Sequence, residues 1–332
     1  MRAIVYTKPT PVDGPGSFVD LELARPGVGP HDLLVAVEAV SVNPADVKRR
    51  AGAEPTGDGL LGFDASGTVV EVGDDVTLFA VGDEVFYAGS SGRPGANAEL
   101  HAVDERLVGR KPRTLSFAEA AALPLTSLTA WEGLVSKLRL TRDTRGTLLV
   151  IGAAGGVGSM VVQLAKTITS ATVIGTASRD ETRDWLLGLG ADHVVDHSRE
   201  LPPQLAAIAP DGIDWVFSTQ RTDENLPMLV EVLKPFGQIV AIDDPQTLDV
   251  TPLKRKALSF HWELMFVRSA FQTPDMVEQH RILDTVAELV ESGALRSTLS
   301  RTLTPFDAAS LREAHRIVES GRSIGKVVVS RA

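Results

Sequence analysis

The chain has 332 residues, 43% of them hydrophobic and 23% charged, the balance of an ordinary globular protein long enough for two cores. A net charge of -10 argues against nucleic acid or an anionic membrane surface as a partner. There is no cysteine, which excludes disulfides, thiolate zinc sites, iron–sulfur clusters and a cysteine nucleophile.

The N-terminal MRAIVYTKP alternates as a strand does and lacks the apolar centre of a signal peptide, so a cytoplasmic protein is expected. Up to about residue 110 the chain reads as β, with alternation in LLVAVEAV (33–40), GTVVEV (67–72) and 83–86. The pattern changes at SFAEAAAL (116–123), where Ser116 and Glu119 have the spacing of a capping box. TSLTAWEGLVSKL (126–138) then reads as a helix. From Thr147 onward strands are expected at 148–151, 172–176, 193–196, 214–218 and 238–242, with helices at 157–168, 180–188 and 225–233. Helices at 275–292 and 307–320 and a final strand, IGKVVVS, follow. The longest uncharged stretch, Leu148 to Ala165, is long enough to span a bilayer, but its central glycines mark a strand–turn–helix instead.

This order predicts an α/β protein whose β-rich domain, residues 1–124 and 262–332, is interrupted by a doubly wound domain, residues 125–261. A ligand is expected at the carboxyl ends of the parallel strands.

The most informative segment is LLVIGAAGGVGS (148–159), in which Gly152, Gly155 and Gly158 lie between an apolar strand and a helix. Such a turn lets backbone N–H groups approach a pyrophosphate at the positive end of the helix. Ala154, Gly155, Gly156, Val157 and Gly158 are therefore expected to hold a dinucleotide. The acid that would bind a ribose 2′-hydroxyl belongs about 20 residues further on. Ala177 stands there, followed by Ser178 and Arg179, a hydroxyl and a cation suited to a 2′-phosphate. His197 could flank the same pocket, and Asp180 should begin a helix and point away. NADPH is the expected cofactor.

With these segments in hand, the chain resembles the medium-chain dehydrogenase/reductase superfamily along essentially its whole length. The likeness rests on SVNPADVKRRAG (41–52), GFDASGTVVEVG (62–73), VGDEVF (81–86), ALPLTSLTAW (122–131), AAGGVGS (153–159), LGAD (189–192) and GKVVV (325–329). It is similar to the zinc-free quinone and enone reductase branch, and also to a bacterial group labelled zinc-type alcohol dehydrogenase. The resemblance implies a GroES-like β-barrel catalytic domain plus a Rossmann nucleotide-binding domain, and a homodimer.

In zinc-dependent members a cysteine belongs where this chain has Asn43, and a histidine where it has Phe63. The four-cysteine lobe has no counterpart after Phe86, so no metal is expected. Without a Lewis acid, conjugated acceptors are the easier substrates, because hydrogen bonds can carry the charge that spreads to oxygen. NPADVKRRAG offers Asn43, Lys48, Arg49 and Arg50 as donors. The resemblance gives Lys48 the place of a proton or hydrogen-bond donor to the substrate oxygen, with Asn43 beside it. Asp46 either orients Lys48 or caps its helix, and Arg49 and Arg50 are expected to be solvated. The resemblance also puts Thr129, Ser218, Ile242 and Lys326 near the cofactor. Phe63, Trp262 and Phe266 are candidates for an apolar slot. The expected activity is an NADPH-dependent, zinc-independent reduction of quinones or α,β-unsaturated carbonyl compounds. A metal-dependent alcohol or aldehyde oxidoreductase and a non-catalytic NADPH-binding protein are the alternatives.

Overall fold

A computed structural model describes residues 1–331. The N-terminal alternation becomes an antiparallel pair, β1 (Arg2–Val5) and β2 (Val19–Glu22). Next come β3 (Asp32–Val42), β4 (Asp64–Val72), β5 (Glu84–Tyr87), β6 (Leu100–Asp104) and β7 (Val108–Arg110). Strand β3 pairs antiparallel with β4 along one edge and with β6 for part of the other, and β4 continues the sheet through β5 to β7. Leu33, Val35, Val37 and Val40 of β3 pack with Val69, Val85 and Val108 in one apolar core. The capping box forms as expected, with Ser116 Oγ accepting from Glu119 N at 3.2 Å and Glu119 accepting from Ser116 N at 2.9 Å.

Six strands then build a wholly parallel sheet: β8 (Thr147–Ile151), β9 (Thr172–Thr176), β10 (His193–Val195), β11 (Ile213–Ser218), β12 (Leu233–Ala241) and β13 (Ser259–Trp262). Their spatial order is β10-β9-β8-β11-β12-β13, so the winding reverses between β8 and β11. That reversal is the doubly wound pattern, and it leaves a crevice beyond the carboxyl ends of the two central strands. Leu148, Leu149 and Val150 are buried, which is why β8 is a continuous apolar run rather than an alternating one. The edge strand β13 was not anticipated, since SFHW has neither an apolar run nor clean alternation.

The chain closes with β14 (Leu299–Leu303) and β15 (Lys326–Ser330), which run parallel to each other. Strand β15 adds antiparallel to the free part of β3, pairing Val328 with Ser41. The first compact unit is therefore discontinuous, residues 1–128 and 266–332, and the second is residues 129–265. Both junctions fall a few residues beyond the positions expected from sequence. Among the described residues no helix is long and apolar enough to cross a membrane.

Candidate active site

In the second unit the glycine turn follows the carboxyl end of β8. Gly152 has φ +70°, a left-handed conformation that side chains resist. Gly158 is needed for a different reason: a Cβ there would lie 2.5 Å from Gly152 O and 2.6 Å from Ala153 Cα, forcing helix and strand apart. Gly155 is the N-cap of the helix Gly156–Ile168, and no side chain caps that helix start. Ala154 through Val157 are only half-buried. An accessible helix N-terminus with no side-chain cap, approached through a turn lacking side-chain bulk, fits the pyrophosphate of a dinucleotide.

The remaining nucleotide candidates lie beyond the same ends of the strands. Ala177 is buried directly after β9, Ser178 is exposed, and Arg179 is the half-buried N-cap of the helix Asp180–Gly188. Ala177 N donates to Val195 O at 3.0 Å, which carries the parallel pairing of β9 and β10 one residue further and brings exposed His197 to the same end. These residue types fit a 2′-phosphate better than a bare ribose. Ser218 closes β11, with its Oγ 2.8 Å from Thr222 Oγ1; Thr222 in turn donates its N–H to Asp243 Oδ2 at 2.8 Å. Ile242 is half-buried just past β12, and Thr129 is buried in the helix Pro124–Trp131.

In the first unit, three candidate side chains, Asn43, Asp46 and Lys326, meet Asp64 in one buried polar cluster. The strand–helix junction Val42-Asn43-Pro44 starts the helix Pro44–Gly52, with Asn43 as N-cap. Asp46 caps that start, its carboxylate accepting from Asn43 N at 2.9 Å and from Gly62 N at 3.2 Å. Burial pushes the Asp46 carboxyl up to about 6, against the pull of these N–H groups and of Lys326. Asn43 Nδ2 donates to Asp64 Oδ2 at 2.9 Å and to Ser41 O at 3.4 Å. Lys326 Nζ donates to Asp64 Oδ2 at 3.0 Å, to Val42 O at 3.1 Å and to Asn43 Oδ1. The other Asp64 oxygen accepts from Leu125 N at 2.7 Å.

An ammonium has three N–H bonds, and all three of Lys326's are taken within this unit. Both hydrogens of the Asn43 amide are likewise engaged. These two residues are arranged to hold structure, whereas Lys48 lies exposed on the same helix. Asp64, at the first position of β4, was not among the candidates from sequence. Its pairing with a lysine from the far end of the chain left no local signal. Arg50, expected to be solvated, is fully buried; it donates to Thr10 O and pairs with Glu319, tying this helix to Ala308–Glu319. Phe63 and Phe266 do meet, with ring centroids 4.6 Å apart, and Trp262 in the second unit packs edge-on against Phe260.

A zinc ion does not fit these residues. Among the described residues no three His, Asp or Glu side chains cluster as ligands. Buried His101 has both ring nitrogens engaged, by Tyr87 Oη at 3.1 Å and Pro94 O at 2.9 Å. Asp64 already holds a cation.

A sheet of 3-2-1-4-5-6 order with a glycine turn at its switch point defines a dinucleotide-binding protein of the Rossmann class. Comparison with known proteins agrees. Residues 29–130 match the alcohol dehydrogenase GroES-like domain family, and residues 189–329 match the zinc-binding dehydrogenase family. The zinc-type alcohol dehydrogenase-like protein of Staphylococcus aureus (strain MSSA476) is 38% identical, over 99% of this chain and 100% of its own. The 2-methylene-furan-3-one reductase of Solanum lycopersicum is 33% identical, over 99% of this chain and 79% of its own. A solved structure from Rhizobium etli, named after the zinc-dependent alcohol dehydrogenases, superposes with TM-score 0.96 at 51% identity, covering 99% of this chain and 98% of that one. The chain belongs to the medium-chain dehydrogenase/reductase superfamily, with a GroES-like domain and a Rossmann domain.

Proposed function

We propose that this protein is an NADPH-dependent reductase that works without zinc and passes hydride to quinones or α,β-unsaturated carbonyl compounds. The observation that carries this reading is the buried Lys326–Asp64 pair beside Asn43. An internal ammonium occupies the neighbourhood in which zinc-dependent relatives need metal ligands. A plain ketone would then lack the electrophile its developing alkoxide requires, whereas a conjugated acceptor can be served by hydrogen bonds. The similarity to the tomato enone reductase supports the same class. So does the NADPH-dependent alkenal/one oxidoreductase of Arabidopsis thaliana, 32% identical to this chain.

Bound NADPH supplies the hydride. The N–H groups of Gly155 to Gly158 take its pyrophosphate, and Ser178 and Arg179, flanked by His197, take its 2′-phosphate. Thr129, Ser218 and Ile242 orient the nicotinamide half. Lys48 donates a hydrogen bond to the substrate oxygen or a proton to the enolate. Asp46 fixes the start of the helix that carries Lys48, and Asn43 and Lys326 brace it from the strand side. Lys326 acts here through these neighbours.

The test is a substrate panel in the presence of a chelator, following NADPH oxidation with enones, quinones, simple ketones and aldehydes. Turnover of the conjugated acceptors alone is expected. Turnover confined to simple carbonyls and dependent on added zinc would overturn the reading, and so would tight NADPH binding with no turnover at all.

A further inference from the structure

Beside its edge strand β13, the second unit contains a cavity of about 370 Å³ lined by Ser136, Lys137, Leu138, Arg139, Gln238 and His261. We infer that this cavity is a second ligand site, which holds a phosphate-class oxyanion separately from the cofactor. Gln238 lies on β12 and His261 on the edge strand β13, and β11 separates both from β8, whose carboxyl end carries the glycine turn.

The backbone gives the first reason. The helical segment Glu132–Lys137 ends with Leu138 N donating to Gly133 O and Leu140 N to Leu134 O, both at 3.0 Å. The residue between, Arg139, has φ +57°. That left-handed position after a helix end ordinarily belongs to glycine or asparagine, and an arginine there is strained. A turn alone would be better served by glycine. Arg139 instead lines the cavity.

Charge gives the second reason. In a chain of net charge -10, this cavity is lined by two permanent cations and an imidazole, with no carboxylate among its lining residues. Lys137 has one acidic neighbour, the buried Glu263, at 3.7 Å, and it also answers the negative end of its own helix. Arg139 has neither duty. His261 Nε2 lies 3.1 Å from Gln238 Oε1. Burial holds the His261 pKa below its ordinary value, and repulsion from Lys137 and Arg139 lowers it further, so the imidazole feels both cations. An oxyanion between them would turn that repulsion into attraction and bring a proton to the imidazole. The volume suits a phosphate or a small phosphate monoester.

The experiment uses inorganic phosphate as the probe, against chloride at equal ionic strength, with saturating NADPH present so that the cofactor site is closed to it. Thermal unfolding is followed, together with the imidazole signal of His261 identified through His261→Gln. Phosphate should raise the melting temperature of the wild-type protein by several degrees and shift the His261 signal toward the protonated form. Arg139→Gly removes the cation and relieves the backbone, so it should melt higher than wild type in chloride yet lose the extra response to phosphate. Lys137→Gln with Arg139→Gln should lose that response too. The general stabilising effect of phosphate on any protein is common to all variants and cancels in the comparison. An equal response in wild type and Arg139→Gly would overturn the site, as would a His261 signal indifferent to phosphate. Neither result bears on reductase activity.

Discussion

Lys326 Nζ and Asp64 Oδ2 lie 3.0 Å apart, with side chains only 4% and 0% exposed, and join the last strand of the chain to the first residue of β4. A charge pair so placed is costly to desolvate and is held by its full set of hydrogen bonds. Breaking it from one side leaves a buried, uncompensated ion. Lys326→Met should therefore destabilise the protein by about 3–5 kcal/mol, and Asp64→Asn added to it should recover part of the loss. Urea unfolding of the single and double variants measures this. A change below about 1 kcal/mol for Lys326→Met would show that the pair contributes little beyond solvent-like exposure.

The same pair bears on metal. Zinc at this position would have to displace Lys326 from Asp64 and find further ligands, where Asn43 and Phe63 offer none. The purified protein should contain no stoichiometric zinc, and a chelator should leave its turnover unchanged. One zinc per chain, lost together with activity on chelation, would refute this.

Arg179 begins the helix Asp180–Gly188 just after exposed Ser178. If it meets a 2′-phosphate, Arg179→Gln should weaken NADPH by roughly tenfold, worth about 1.4 kcal/mol, and leave NADH binding nearly unchanged. Fluorescence titration with both cofactors makes the comparison. Equal weakening of the two would assign Arg179 to capping its helix.

Much of the fold was legible in the sequence because its signals are local. The apolar run before Gly152, the Ser116–Glu119 capping box and the strand–helix alternation each sit within a few residues. What escaped was set at a distance. The helix Thr222–Val232 starts earlier than expected because its first N–H is capped by Asp243, 21 residues on. The helix Leu201–Ile208 was hidden by two prolines, which its first turn tolerates because those N–H groups have no partner there anyway. In the site, Asn43, Asp46 and Lys326 were singled out individually, but their mutual engagement was not. Asp64 and Lys326 are 262 residues apart, and nothing near either one announces the other.

Lys48 is exposed on a helix whose start is held by Asp46. Its removal should lower turnover. Lys48→Ala should lower kcat/KM for an enone by about a hundredfold, with NADPH affinity unchanged and partial recovery in Lys48→Arg. Steady-state kinetics beside cofactor titration separates the two effects. An unaltered kcat/KM would remove Lys48 from the mechanism.

Asp46 gives a pH dependence of unusual sign. Burial raises its carboxyl from 3.8 to about 6, so the folded protein holds a proton that the unfolded chain has already released between those values. Stability from this group therefore grows as pH falls through about 6 and levels off below about 4, opposite to a salt-bridged carboxylate. Ionised Asp46 costs the fold on the order of 2–3 kcal/mol at neutral pH. Asp46→Asn lacks this titration, although its amide can satisfy only one of the two N–H groups from Asn43 and Gly62. The unfolding free energy of wild type relative to Asp46→Asn should accordingly move in favour of wild type between about pH 7 and about pH 5. Urea melts across that range decide it. A difference that stays flat over that range would mean that Asp46 remains ionised in the fold, held down by its N–H donors and by Lys326.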